Sequence, residues 1–358
     1  MSSLYLPTKY TASVLTALAV SVALTRPSLA VPVPTPGYTV TLFAHGVHGV
    51  YVRPDSLTTD GNFVYAGYQN AAAPDGSSGN SVVVKYTHGG AVVRQFPVNG
   101  RCDGLRIDPE TGLLWALSNE DANPRVTIID PRTGHEELSY VRLPTRTPSA
   151  SGYDDLAFTR SGTFISASHP VLNSQGVNTH RAIGLISLED DDLPVITTVL
   201  LGNAMATDRT TGERVRLNLT DPDSLSVDPN TRELVLNDQG DSQLIFVSNA
   251  GDGEGDEGEE REVSRLLLRP ANPEPPVIDE ATWTTSTSGH FLVADLGDPG
   301  AIWVIRKTSG FTRGQAYVTV GADSPTFTSS LGTLNTNSGL IAPVVTNFTS
   351  PKGLIFVE

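Results

Sequence analysis

Four aspartates occupy the same place in a short recurring motif: Pro54-Asp55-Ser56-Leu57, Cys102-Asp103-Gly104-Leu105, Tyr153-Asp154-Asp155-Leu156 and Pro222-Asp223-Ser224-Leu225. Looser copies at Asp279-Glu280-Ala281-Thr282 and Pro351-Lys352-Gly353-Leu354 extend the series, with Glu280 and Lys352 as its fifth and sixth stations. If the six stations stand at one height around a common axis, five carboxylates and one ammonium face each other. Carboxylates held that close share protons or collect a cation, because they cannot all stay ionised and unscreened. Oxygen donors with a single cysteine and few histidines suit a hard ion, calcium rather than zinc. The expected metal site is therefore Asp55, Asp103, Asp154, Asp223 and Glu280. The structural alternative is that an Asp at a strand entrance binds backbone N–H groups of its own turn, which would also recur in every repeat.

A histidine close to such a cluster can act as a general base, since its ordinary pKa lies near working pH. His169 and His180 bracket one loop, and His169 with Asp103 and Asp223 forms the candidate catalytic set. A loop histidine with no role is the plain alternative. The chain has no nucleophile elbow, no phosphate-binding glycine loop and no zinc-ligand spacing.

These residues need a frame that repeats. The spacing of the stations suits the roughly 40 to 50 residue unit of a β-propeller, stretched in places by insertions. The second repeat reads as four strands: Leu105 to Asp108, Leu113 to Leu117, Arg125 to Ile129, and a fourth after the turn Asp130-Pro131-Arg132-Thr133-Gly134. The fourth repeat follows the same order, through Leu225 to Val227, Glu233 to Leu236, Gln243 to Val247 and Glu262 to Leu268. Helical periodicity does not appear beyond the N-terminal stretch. The expected fold is all-β, a six-bladed β-propeller of four-stranded antiparallel blades from about Tyr38 to Glu358. The last blade is short of strands; the segments between Gln315 and Asn347 are the candidates to supply them, and five or seven blades are the alternatives.

In such a blade the loop entering the first strand and the loop joining the second to the third share a face. Asn119-Glu120-Asp121, His169, Asn237-Asp238 and Asp295 fall in these second loops, so one face of the disc gathers most of the polar candidates. Two of the loops, Asn70 to Asn80 and His169 to His180, are long enough to roof that face and carry recognition. The acid-rich run from Gly251 to Arg261 spaces Asp252, Glu254 and Asp256 like a calcium loop, but Glu257 stands where the turn needs glycine, and it reads as solvated.

The strand-entrance pattern of Asp, Gly and Leu followed by an Asp-Pro turn, as in Asp103-Gly104-Leu105 with Asp108-Pro109, resembles NHL-like propellers and the regucalcin/gluconolactonase family. The resemblance covers most of the mature chain. It implies a calcium or similar divalent ion in the channel, held by acidic and Asn side chains, that activates lactone hydrolysis. Asp103 and Asp223 match the Asn or Asp of the Gly-Leu motif, and Asp55 takes the place of an early acid. The chain departs from that pattern in lacking Asn at the repeated position and in carrying Lys352 at the last one. The blocks Asn119-Glu120-Asp121-Ala122-Asn123-Pro124 and Asp221-Pro222-Asp223-Ser224-Leu225 also resemble secreted bacterial propellers, a likeness that supplies no function.

A formal net charge of -15 argues against nucleic acid or an anionic membrane as partner, since both require a basic surface. Lone Cys102 cannot form an internal disulfide. Lys9, the charge-free stretch Thr11 to Leu24 and the small-residue motif Ser28-Leu29-Ala30 read as a secretory signal cut after Ala30 and too short to span a bilayer. The expected product is one domain, residues 31–358, secreted or periplasmic, without a membrane span and acting as a monomer. Its function is expected to be hydrolysis of a small lactone or ester with a divalent cation, calcium first; the alternative is a non-catalytic binding propeller. N-terminal sequencing of the exported protein should begin at Val31, and material that keeps residues 1–30 in a membrane fraction would overturn the signal assignment.

Overall fold

The computed structural model describes residues 31–134, 136–140, 143–144, 152–188, 194–248, 250, 261–270, 275–321 and 328–358. The expected signal at 1–30 and the acid-rich run at 251–260 lie outside the described residues. Among the described residues there is no helix, and hence none long and apolar enough to cross a membrane.

Strand pairing produces six antiparallel blades. Blade 1 is Pro54–Thr59, Val64–Tyr68, Asn80–Tyr86 and Val92–Asn99, and blade 2 is Cys102–Ile107, Leu114–Ser118, Arg125–Ile129 and Glu136–Tyr140. Blade 3 is Tyr153–Thr159, Gly162–Ala167, Arg181–Ser187 and Val195–Leu201. Blade 4 is Pro222–Val227, Leu234–Asp238, Gln243–Val247 and Val263–Leu267, widened by Met205–Asp208 and Arg214–Arg216. The six first strands pack each against the next, and Pro351–Val357 returns against Pro54–Thr59 to close the ring.

Blades 5 and 6 are interlocked. Blade 5 starts with Ile278–Trp283, but the next two strands, His290–Asp295 and Ala301–Lys307, belong to blade 6. The chain then comes back to finish blade 5 with Ala316–Val320, Ser330–Leu334 and Leu340–Thr346, and only afterwards lays down the first strand of blade 6, Pro351–Val357. The expectation that segments between Gln315 and Asn347 complete the last blade is thus corrected: they complete blade 5. Blade 6 takes its outer strand from the other end of the chain, Tyr38–His45, while Val33–Pro34 edges blade 5.

Each apolar core lies between two blades. Tyr65, Val83 and Phe96 of blade 1 pack on Leu105, Leu114 and Ala116 of blade 2, and five further clusters repeat this around the ring. Second strands such as Val64–Tyr68 and Leu114–Ser118 are buried at every residue because both of their faces meet a neighbouring blade. A blade alone therefore has no core, and stability is a sum over interfaces.

All six first strands break register at the same point. Pro54 pairs with Tyr68 and Leu57 with Ala66, so one extra residue lies in the first strand. The same bulge occurs at Cys102/Gly104, Tyr153/Leu156, Pro222/Leu225, Ile278/Ala281 and Pro351/Leu354.

At the interlock, Phe291 meets Phe311, Tyr317 and Phe356 with ring centroids 4.5 to 5.3 Å apart. Phe291→Ala should cost about 3–5 kcal/mol in urea unfolding. Because blades 5 and 6 share chain, the loss should appear in one cooperative transition; a separate early phase would argue that the two blades are independent.

Candidate functional site

A β-strand alternates its side chains, and a bulge interrupts the alternation so that two successive residues turn toward one side. In this molecule that side is the central channel. The upper row consists of Asp55, Asp103, Asp154, Asp223, Asp279 and Lys352, and the residue after each forms a lower row, Ser56, Gly104, Asp155, Ser224, Glu280 and Gly353. Pairing registers correct one sequence assignment: the fifth station of the acidic ring is Asp279, and Glu280 belongs to the row beneath it. The ambiguity came from two adjacent acids with Ala281 in place of the usual leucine.

The lower row is where blades touch. The Ser56 hydroxyl donates to the Asp103 carbonyl, and Ser224 does the same to Asp279. At Gly104 a side chain would meet the Asp154 carbonyl at 2.6 Å, and at Gly353 it would run into that of Asp55. The remaining lower-row side chains are charged, and one cation holds them. Arg106, next inward on the blade 2 strand, donates to the carboxylates of Asp155 and Glu280, the latter at 3.2 Å, and to the Leu225 carbonyl at 3.1 Å. It thereby ties blades 3, 4 and 5 to blade 2 from inside the channel.

Above Arg106 opens a polar cavity of about 520 Å³. All members of the expected sets, catalytic His169, Asp103 and Asp223 and ring residues Asp55, Asp154 and Glu280, line it, whereas His180 does not. Two cations missed at the sequence level also enter the walls. Arg101 Nε lies 3.1 Å from Asp103 Oδ1 and its Nη1 3.4 Å from Glu120; Arg106 forms the floor. Across the ring, Lys352 Nζ lies 2.8 Å from Asp279. Two glutamines occupy matching places, each one residue beyond a second strand: Gln69 donates to Asp103 at 2.7 Å and Gln239 to Asp279 at 3.2 Å. Their repetition one residue past a buried strand was the signal that could have found them.

The rim is built by the Asn119–Pro124 block. Asn119 adopts a left-handed backbone at φ 70°, accepts from Arg101 N–H at 3.0 Å and donates to the Asn123 carbonyl at 3.0 Å. Gly152 N–H and the Ser168 hydroxyl then donate to the Glu120 carbonyl, pinning the loop to blade 3 and bringing the Glu120 carboxyl against Asp154. Asp121 lies 3.3 Å from His169 Nδ1, and Asp221 lies 3.7 Å from the other ring nitrogen. His169 is half-exposed and has φ 35°, an uncommon backbone for a non-glycine residue that tends to mark functional loops. The long loop at 70–80 leans on this block through Asp121 N–H to Pro74 and Asn123 to Asp75.

Burial raises the carboxyl pKa values of Asp55, Asp103, Asp154 and Asp223 in the ring. For Asp55 desolvation and the Asp279 charge push it up to about 7, against the pull of Lys352 and Arg101. Asp103, Asp154 and Asp223 are driven well above the usual carboxylate range, first by burial and then by each other or by Glu120 and Asp279. Glu280 and Asp155 are raised by burial too, though Arg106 opposes it. Among the described residues no three His, Cys, Asp or Glu side chains stand close enough together to hold an ion. With Lys352, Arg101 and Arg106 occupying five of the acids, this arrangement does not fit a bound metal, and no chemical step is derived through one.

No family model matches the chain, and no curated protein does. Among solved structures it is similar to the periplasmic gluconolactonase PpgL of Pseudomonas aeruginosa, at 13% identity over 85% of this chain and 88% of that one, with a TM-score of 0.47. It is also similar to a streptogramin B lyase, at 12% identity over 89% and 98% with a TM-score of 0.45, and to a Bacteroides caccae protein of unknown function, at 9% over 87% and 89% with a TM-score of 0.48. Likenesses at this level carry no argument about activity.

A carboxyl whose pKa is raised on folding keeps a proton that the unfolded chain releases. Stability is then full below the unfolded pKa of about 4 and declines as pH rises toward the folded value. For Asp55 the window ends near pH 7. The melting temperature should fall between about pH 4 and pH 7, and Asp55→Asn should flatten that fall and raise Tm at neutral pH by at least about 2 °C. An unchanged slope in the variant would mean that surface repulsion alone sets it.

Proposed function

We propose that the channel mouth is the active site of an exported hydrolase that opens a small lactone or ester. The observation that carries this reading is the pairing, on the walls of one polar cavity, of fixed cations with carboxyls that hold protons near neutrality. Ester opening needs three things: a donor for the developing oxyanion, a base for water, and an acid for the leaving oxygen. Arg101 and Lys352 supply the positive donors. An ionised ring carboxylate takes the proton of the attacking water as its oxygen bonds to the carbonyl carbon. The carbon–oxygen bond then breaks, and the leaving oxygen takes a proton from a ring carboxyl that had kept one. Asp223, which has no ion pair among the described residues, is better suited to proton transfer than Asp103, which Gln69 and Arg101 hold; His169 serves at the rim.

The test is a lactone and ester panel with the wild type, Asp223→Asn and Lys352→Met. Each variant should lower kcat/KM by at least about a hundredfold with the fold retained by circular dichroism. A wild type inactive on the whole panel would overturn the hydrolase reading in favour of a binding propeller. Melts with calcium and then chelator run in parallel: a rise reversed by the chelator would show that the ring rearranges around an ion, the behaviour expected from the family resemblance.

A further inference from the structure

The carboxyls that line the cavity outnumber the cations fixed in its walls. Three cations pair with five carboxyls: Arg101 with Asp103 and Glu120, Arg106 with Asp155 and Glu280, and Lys352 with Asp279. Asp55, Asp154 and Asp223 remain, three cavity-lining carboxyls with no ion pair among the described residues. A second observation is independent of this count. Asp103 Oδ2 and Gln69 Oε1 are buried without a hydrogen-bond partner, although Asp103 Oδ1 and Gln69 Nε2 are bonded to each other. Both side chains line the cavity, that of Asp103 is 5% exposed and Gln69 as a whole 1%. Orphaned buried acceptors are rare and costly, and here the protein offers them no donor.

We infer that the ligand of this cavity carries a primary ammonium, or a comparable organic N–H cation, seated against the Gln69–Asp103 wall. An ammonium presents three donors that spread apart, which suits acceptors on different side chains, and its charge favours the ionised form of the carboxyls that share the cavity. A polyol would satisfy the acceptors but offer the carboxyls no counter-charge. A divalent ion would answer the charge but needs converging carboxylates, and the unpaired ones stand on blades 1, 3 and 4. The inference rests on reading the cavity as the substrate site and names the substrate class: an amino-substituted ester or lactone, its ammonium at Gln69 and Asp103 and its carbonyl toward Lys352.

The full mature chain would be titrated with putrescine, 1,4-butanediol and calcium chloride by calorimetry and thermal shift. Putrescine should bind saturably and raise Tm, and the diol should do neither. Asp103→Asn and Gln69→Leu should each weaken putrescine at least about tenfold, while Glu233→Gln, in the turn between the first two strands of blade 4 and not lining the cavity, should bind it as the wild type does. Two substitutions of different character guard against one that fails to fold. Equal binding of the diol, or putrescine binding untouched by both variants, overturns the inference. Turnover of neutral lactones with no response to amines overturns it and spares the hydrolase; amine binding with no turnover of any ester, amino-substituted ones included, does the reverse.

Discussion

One extra residue in each first strand shapes everything at the centre of this molecule. Without the bulge, alternation would send the acid of each motif inward and its neighbour into the blade interface. With it, both turn to the axis, and six strands place two tiers of side chains in a channel walled by protein. Charges in such a place must be answered locally, because water cannot screen them. Arg106 answers the lower tier, and by doing so becomes a cross-channel tie between blades that are not neighbours. The same arginine lines the cavity, so the tie and the cavity share a wall.

The bulge also makes the site and the ring closure one structure. Carbonyls of the upper-row residues are the atoms that the preceding blade grips, through Ser56 and Ser224 or by close approach at Gly104 and Gly353. Moving an upper-row carboxylate therefore means moving a blade junction. Blades 1 and 4 repeat the arrangement most fully: each has a Pro-Asp-Ser-Leu entrance and a glutamine one residue past its second strand. Their following blades receive the grip, so Asp103 and Asp279 become the two ring acids that carry both a glutamine and a cation.

Much of this was legible in the sequence, and what was not has physical causes. Blade number, ring position and the polar face followed from a motif whose apolar residue must enter an inter-blade core, as Leu57, Leu105, Leu156, Leu225 and Leu354 do. The fifth station slipped by one because Ala281 weakened that anchor. The interlock of blades 5 and 6 was out of reach: pairing order is a long-range property, and His290–Asp295 reads the same whether it follows its own first strand or waits for one some sixty residues later. Arg101 and Arg106 were missed because they lie outside the repeated position, although Arg106 sits two residues beyond Gly104 on a strand whose alternation makes it inward-facing.

A ring of buried acids opposes folding, and most of its members are held in a state that disfavours their charge. Inter-blade packing has to offset this, and the interlocked closure, with aromatic rings meeting edge-to-face and tilted between blades 5 and 6, supplies it where a propeller is otherwise weakest. The cations are placed with restraint. Three of them cover the lower tier and two sides of the upper one, and three carboxyls remain unanswered around one cavity. A structure selected only for stability would replace those three with Ser or Asn, which could keep the junction bonds at less electrostatic cost. Their presence in the upper tier, buried and yet lining the cavity, is the feature on which the proposed ligand site rests.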